Sequence, residues 1–402
     1  MTPRRYLHAA GVLAGADRWW PDGVVVLEGP RIVCVGPARS LEAQCGPLDQ
    51  WLDLGDAVLT PGLVNAHAHL ELGALQGRCP GSRGLLVWIS AVIEALASLE
   101  PEDAARGLAE GSRRLLETGT TCVGDIDTLG ASAAGLAATG LAGRVYREVL
   151  DGRDATRTGA AKERLALRVE PGPAGRVLPG VSPHGPHTVS PTLLDAATAL
   201  ARDEASALSV HFAESAAEVE WLNEGSGPLA GLLGSSPHKG ALEILEAGGL
   251  ARAPFSLIHA GHACEEEIAR IADLGGVLVH CPGSAEFFGR EPAPLAAWLA
   301  RGARVALGSD SLASNEDLDL RREMALVSRS HPELSPREVF RMATEAGAAA
   351  LDLVGQVGVL APGAFGDLAA FEGPSESPAA FLEVLTHERP ALLGVWVGGE
   401  VC

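Results

Sequence analysis

Four short motifs carry the residues able to do chemistry in this chain: His67-Ala68-His69, His211-Phe212-Ala213-Glu214, Ile258-His259 and Ser309-Asp310. Side chains alternate along an extended strand, so His67 and His69 leave the same face and can grip one ion together. Imidazole nitrogen is a favoured ligand of zinc and iron, and a site with few protein ligands keeps a position for water. His67, His69, His211 and Asp310 are the ligand set this pattern predicts. A divalent ion there would lower the pKa of water towards about 7 and make it nucleophilic at neutral pH. Glu214, three residues past His211, is the expected general acid and base. Asp310 could accept the first proton of the water, and His259 could polarise the attacked centre or bond the water. A single histidine is more often structural, and His8, His187, His238, His262, His331 and His387 are left in that class.

These groups work together only if the fold brings strand ends to one place. Between about Thr60 and Asp352, apolar runs alternate with helical stretches such as Pro101 to Thr118, Pro191 to Ala205 and Glu265 to Leu274. The runs are Leu63 to Ala66, Thr121 to Asp125, Arg144 to Leu150, Val177 to Ser182, Leu208 to Phe212, Phe255 to His259, Gly276 to His280 and Arg304 to Gly308. Eight repeats of strand then helix predict an α/β protein of the (β/α)8 TIM barrel class, whose active sites lie at the C-terminal ends of the strands. The open doubly wound sheet is disfavoured because no G-x-G-x-x-G follows a first strand. Residues 1–57 and 355–402 read as β-rich, with Gly29-Pro30 as a turn, and predict a small composite β-sandwich built from both ends around a barrel of 58–354.

The 402 residues include 47% apolar and 20% charged side chains, enough for a large core. A formal charge of −20 and the lack of a basic block argue against nucleic-acid and anionic-lipid partners; the expected partner is a small-molecule substrate. The longest apolar run, Leu85 to Ile93, is too short for a bilayer span of roughly 20 residues. The start of the chain, with Arg4 and Arg5, is read as a strand in preference to a signal peptide. Seven cysteines without C-x-x-C spacing read as thiols in a reducing, cytoplasmic setting.

The stretch Thr60-Pro61-Gly62-Leu63-Val64-Asn65-Ala66-His67-Ala68-His69 resembles the first-strand signature of the amidohydrolase superfamily, in its cytosine deaminase and chlorohydrolase-like branch. The later motifs, ending in His280-Cys281-Pro282 and Leu307-Gly308-Ser309-Asp310-Ser311, follow in the family's order over nearly the whole chain. The resemblance implies hydrolysis at a metal centre, commonly deamination of a purine, pyrimidine or triazine ring, with one divalent metal: zinc, or iron or manganese as alternatives. Binuclear members bridge their metals with a lysine on the fourth strand. The only two lysines, Lys162 and Lys239, fall outside that position.

Ser182-Pro183-His184-Gly185-Pro186 is similar to a substrate-contacting segment of adenosine-type deaminases, which points to His184. Ser311 to Asn315 and Trp88 resemble aminodeoxyfutalosine deaminases, so Ser311 and Trp88, with His280 at the seventh strand end, are further substrate-side expectations. Glu71 and Arg78 are pocket candidates or a plain salt bridge. One departure stands out: Pro282-Gly283-Ser284 continues as Ala285-Glu286-Phe287-Phe288 where the family has Asn after the serine. The leading expectation is a mononuclear deaminase of a purine-like heterocycle, assembled as a homodimer. Behind it stand the same machinery acting on a cyclic amide, an ester or a carbon–chlorine bond, and a non-catalytic binding barrel.

Overall fold

The computed structural model describes residues 4–402 apart from 46–50, 82, 83, 168, 170, 171, 173 and 174. The N-terminal part supplies strands β1 (Arg4–Gly15), β2 (Arg18–Glu28), β3 (Arg31–Pro37), β4 (Trp51–Asp53) and β5 (Val58–Pro61). The middle supplies β6 (Leu63–Ala68), β7 (Thr120–Asp127), β8 (Ala142–Val149), β9 (Val177–Pro183), β10 (Ala207–Phe212), β11 (Phe255–His259), β12 (Val277–His280) and β13 (Arg304–Leu307). Strands β14 (Leu368–Phe371), β15 (Leu392–Val397) and β16 (Glu400–Val401) close the chain.

β6 to β13 are parallel neighbours in chain order, which is the predicted (β/α)8 arrangement. Each predicted barrel strand is present with its ends moved by no more than two residues. Their sequences are short and almost wholly buried, as expected where helices cover a parallel sheet. Helix starts are marked chemically. Pro101–Glu117 carries a capping box between Glu100 and Asp103, Pro191–Asp203 is capped by Ser190, and Ala216–Glu224 is capped by Ser215.

The barrel closes just past its first and last strands. The N–H groups of Ser309 and Asp310 both donate to the His67 carbonyl at 3.1 Å, and Ala68 bridges Asp310 in parallel. Asn65 latches this seam: Oδ1 accepts the N–H of His67 at 3.3 Å and of Ser309 at 3.1 Å, and Nδ2 donates to Ser309 Oγ at 2.6 Å. The pairing of β6 with β7 shifts register between Asn65 and Ala68, a local irregularity of the kind that re-aims side chains beside a site.

The terminal sheet runs β16-β15-β14-β5-β1-β2-β3, with β4 beside β1. The run Val24-Val25-Val26-Leu27 is fully buried because both faces are covered. Val24 and Val26 pack with Tyr6 and Leu41 on one side, and Val25 and Leu27 pack with Leu360, Leu368 and Trp396 on the other. The terminal unit is built from both ends of the chain as expected and forms one continuous hydrogen-bonded sheet. One boundary changes: Val58–Pro61, which the sequence reading put at the start of the barrel unit, pairs with β14 and β1 of the terminal sheet. The handover falls at Gly62, where the Thr121 side chain leaves no room for a Cβ. Arg176 clamps the two units, donating to both Asp367 oxygens at 2.9 and 3.0 Å in a buried pair. Among the described residues no helix is long and apolar enough to cross a membrane.

Asn65→Ala removes three hydrogen bonds at the seam. The expected cost is about 2–3 kcal/mol, seen as a lower midpoint in urea unfolding with unchanged helical circular dichroism.

Candidate metal centre

The closed seam sets Asp310 beside the two histidines of the first strand. Asp310 Oδ1 lies 3.9 Å from both His67 Nε2 and His69 Nε2, and His69 Nε2 lies 3.4 Å from His211 Nε2. One nitrogen of each of His67, His69 and His211 falls within 4.8 Å of the others. Among the described residues, both ring nitrogens of His67 and Nδ1 of His69 are buried without a hydrogen-bond partner. Such groups are costly unless something supplies the missing partner. Burial, reinforced by the neighbouring imidazoles, holds His67 well below its ordinary pKa; burial also lowers His69, against the pull of Asp310. Neutral imidazoles with open lone pairs next to a carboxylate are the donor set of a zinc-type ion, so the residues present fit one. His211 Nδ1 lies 3.0 Å from the His184 carbonyl, which can only accept, so Nδ1 carries the proton and Nε2 is bare. Ser284 Oγ donates to Asp310 Oδ2 at 2.7 Å.

Glu214 stands at the mouth of β10, held by its neighbours. Ser215 Oγ accepts the Glu218 N–H, and the Glu218 carboxylate accepts the N–H groups of Ala213 and Glu214 at 3.1 and 3.0 Å. The Glu214 carboxylate accepts from Arg290 Nη2 at 2.9 Å and lies 3.9 Å from His259 Nε2. Burial pushes its pKa upward, but His259, Arg290 and His211 outweigh that and hold it below the usual carboxylate range. Glu214, His259, His280 and Arg290 line a cavity of about 180 Å³. Ala213, His259, Ala260 and Asp310 all have φ between 45° and 72°, backbone strain gathered at the strand ends.

The substrate-side expectations divide. His184 stacks on His211 with ring centroids 4.7 Å apart, and His280 borders the Glu214 cavity. Burial pushes each of them down to about 3. Trp88 donates to the Ala313 carbonyl at 2.8 Å and sets its ring edge-on to Phe288, joining the helix Leu85–Ala97 to the loop after β12. Ser311 is buried and turned into its own bend, 2.8 Å from Ser314 Oγ, so its hydroxyl does not face the imidazoles as a free contact. Glu71 is likewise corrected: it is fully buried, and its carboxylate accepts the N–H groups of Thr128, Leu129 and Ala131, which anchors the turn after β7. Arg78 is exposed on an outer hollow with Arg106 and Arg113, away from the imidazoles.

Sequence reasoning passed over Arg290, Glu218, Ser284 and Glu148. The last could have been found, because Glu148 lies near the end of the third predicted strand, on the same face as Tyr146. Burial raises its pKa, but His184, His69 and His211 more than offset this and leave it lowered.

A parallel barrel with three imidazoles and two carboxylates at its strand ends defines the class: a metal-dependent hydrolase barrel. The Amidohydrolase family profile matches residues 58–402, and the chain belongs to that family. A 5-methylthioadenosine/S-adenosylhomocysteine deaminase of Pelotomaculum thermopropionicum is 30% identical over 366 residues, 89% of this chain and 81% of the relative. An aminodeoxyfutalosine deaminase of Deinococcus radiodurans is 32% identical over 354 residues, 81% of this chain and 80% of the relative. In fold, the chain is similar to the Helicobacter pylori aminofutalosine deaminase crystallised with methylthio-coformycin, with a TM-score of 0.86 at 22% identity over 99% of this chain and 100% of that one. It is also similar to a zinc-bound adenosine deaminase of Xanthomonas campestris, with a TM-score of 0.78 at 24% identity over 99% and 92% of the two chains.

Two outcomes follow from the buried imidazoles. His67→Ala is expected to lose most bound metal, measured by elemental analysis of dialysed protein, while the fold persists. In chelator-treated protein, His184 and His280 keep folded pKa values near 3 against 6.5 unfolded. The unfolded chain therefore binds more protons between those values, so the contribution of these two histidines is full above about pH 6.5 and falls as pH drops. Glu71, Asp125 and Glu323, raised by burial to about 8, 7 and 7, act in the opposite sense over the same range, so the histidine part is read by difference: His280→Gln should raise the urea midpoint at pH 5 relative to that at pH 7.5 when compared with the parent protein.

Proposed function

We propose that this protein is a hydrolytic deaminase that releases ammonia from the aminated purine ring of an adenosine-type nucleoside, using one divalent ion, zinc in first place, held by His67, His69, His211 and Asp310. The observation that carries this reading is the set of orphaned, neutral imidazoles beside an ionised Glu214. The relatives named as adenosine-type deaminases support the same substrate class.

The bound ion would supply Lewis acidity that makes water nucleophilic at neutral pH. The remaining work falls to side chains of this chain. Asp310, steadied by the Ser284 hydroxyl, can take the proton the water gives up. Glu214, a carboxylate at rest, must first accept a proton and can then deliver it to a ring nitrogen as the amino-bearing carbon becomes tetrahedral. The ring nitrogen thus takes the electron pair of the attacked double bond together with the Glu214 proton; the amino group then gains the proton held by Asp310 and leaves as ammonia, while the new hydroxyl becomes a carbonyl and its proton replaces the one Glu214 gave. His259, 3.9 Å from Glu214, is placed to donate a hydrogen bond to the attacking oxygen. The balance is one water consumed and one ammonia released, with an oxygen replacing the amine.

Ammonia release should be measured across 5-methylthioadenosine, S-adenosylhomocysteine, adenosine and other aminopurine nucleosides. No release from any of them, with turnover of a lactam, ester or chlorotriazine, would overturn the reading. Glu214→Gln should retain metal and lose about a thousand-fold in turnover. Substantial activity in that variant would remove Glu214 from proton transfer.

A further inference from the structure

The reaction above leaves Glu148, an acid near the end of β8, without work. Glu148 is buried near the C-terminal end of β8, with 5% of its surface exposed. One carboxylate oxygen, Oε2, accepts from Thr128 Oγ1 at 2.8 Å. The other, Oε1, is buried and has no hydrogen-bond partner among the described residues. A bare carboxylate oxygen in a buried setting is costly, so its partner is expected to arrive with a ligand.

Its surroundings narrow what that ligand is. A carboxylate oxygen of Glu148 lies within 4.8 Å of a nitrogen of His184 and of His211. The Thr188 hydroxyl donates to the Gly185 carbonyl at 3.2 Å and therefore accepts from His184 Nδ1 at 2.7 Å. That leaves Nε2 of His184 as a bare lone pair. This wall of the site thus offers two acceptors side by side and no donor. It suits a group carrying N–H or O–H, or a cation, and repels an anion.

A second cation is the weaker choice. His211 Nδ1 is committed to the His184 carbonyl, and its Nε2 already faces His69 at 3.4 Å. An ion on Glu148 and His184 would have to take that nitrogen from the ion held by His67 and His69. Glu148 and His184 come from β8 and the end of β9, before His211 in the barrel order, whereas Glu214, His259 and Arg290 lie at and beyond β10.

We propose that Glu148 is a specificity residue that accepts a hydrogen bond from a donor group of the nucleoside, either a sugar hydroxyl or the exocyclic amine. This rests on the deaminase reading and assigns the polarity of one wall: it selects substrates that present a donor there and excludes those that present a carboxylate.

The test compares the wild type with Glu148→Leu, which fills the space without an acceptor, and Glu148→Gln, which keeps the volume and one acceptor oxygen. Ammonia release from the best aminopurine nucleoside should fall in kcat/KM by about ten- to a hundred-fold in Glu148→Leu and by less in Glu148→Gln. Metal per chain should not change. The loss should vanish on one of two analogues: the 2′,3′-dideoxy nucleoside if the donor is a sugar hydroxyl, or the 6-chloropurine nucleoside, read by chloride release, if it is the amine. Loss of metal in either variant would make Glu148 an ion ligand and overturn the proposal. Unchanged kcat/KM, or an equal loss on both analogues, would overturn it too. If Glu148→Leu fails to fold, Glu148→Gln decides by the same analogues. Wild-type inactivity on every aminopurine would instead defeat the deaminase reading from which this one starts.

Discussion

The site depends on a closure. Eight parallel strands become a barrel only if the last meets the first, and in this chain they meet through main-chain bonds from Ser309 and Asp310 to His67, latched by Asn65. Those bonds involve the backbone of two residues whose side chains converge on one point. Asp310 takes a φ of 57° there, in the left-handed region, and the seam holds it in place. Closing the fold and bringing a carboxylate to two imidazoles are therefore the same event. A chain that failed to close would separate the first-strand histidines from Asp310 by the full sheet.

A second constraint comes from solvent exclusion. Packing His67, His69, His184, His211 and His280 into one end of the barrel makes a positive charge on several of them unfavourable, and the folded state keeps His67, His69, His184 and His280 below their ordinary pKa. The cost is met from outside the imidazoles. Carbonyls orient them, as His184 does for His211, and acids stand around them: Asp310 at the seam, Glu214 across β10, Glu148 across β8. The −20 formal charge of the chain is spread over its surface, but three acids are placed where they balance buried imidazoles or an ion among them.

Much of this was legible in the sequence because strand ends are marked by sharp changes of residue type. Phe255 to His259 is apolar but for Ser256 until it stops at a histidine, and the observed strand has those bounds. The same rule located His67, His211, His280 and Asp310. It misled at Glu71, because a buried acid that anchors main-chain N–H groups looks, in one dimension, like an acid that faces a ligand. It also started the barrel unit at Val58, although Val58–Pro61 belongs to the terminal sheet. Two consecutive apolar strands separated by Gly62 carry no label saying which neighbour each will pair with, and that is decided by partners more than 300 residues away, in β14. Glu148 and Arg290 were missed for another reason. Their chemistry lies in what they face, and neither sits in a motif with spacing of its own.

The departure after Ser284 shows how the architecture separates two tasks. Gly283 has no room for a Cβ because Asn315 and Glu323 press against it; the Glu323 carboxylate accepts the Gly283 N–H at 2.7 Å and the Asn315 amide at 2.8 Å. This fixes the start of the helix Pro282–Phe287, and with it the Ser284 hydroxyl on Asp310. Beyond that fixed point the chain is free to differ, and it does: Phe288 meets Trp88, and Arg290 turns back over Phe288 to reach Glu214. The residues proposed to hold an ion are thus anchored from behind by buried polar contacts, while the walls proposed to face a substrate come from segments that can change without disturbing them. A family that keeps one hydrolytic centre and varies its substrates needs that separation, and in this chain it falls between Ser284 and Phe288.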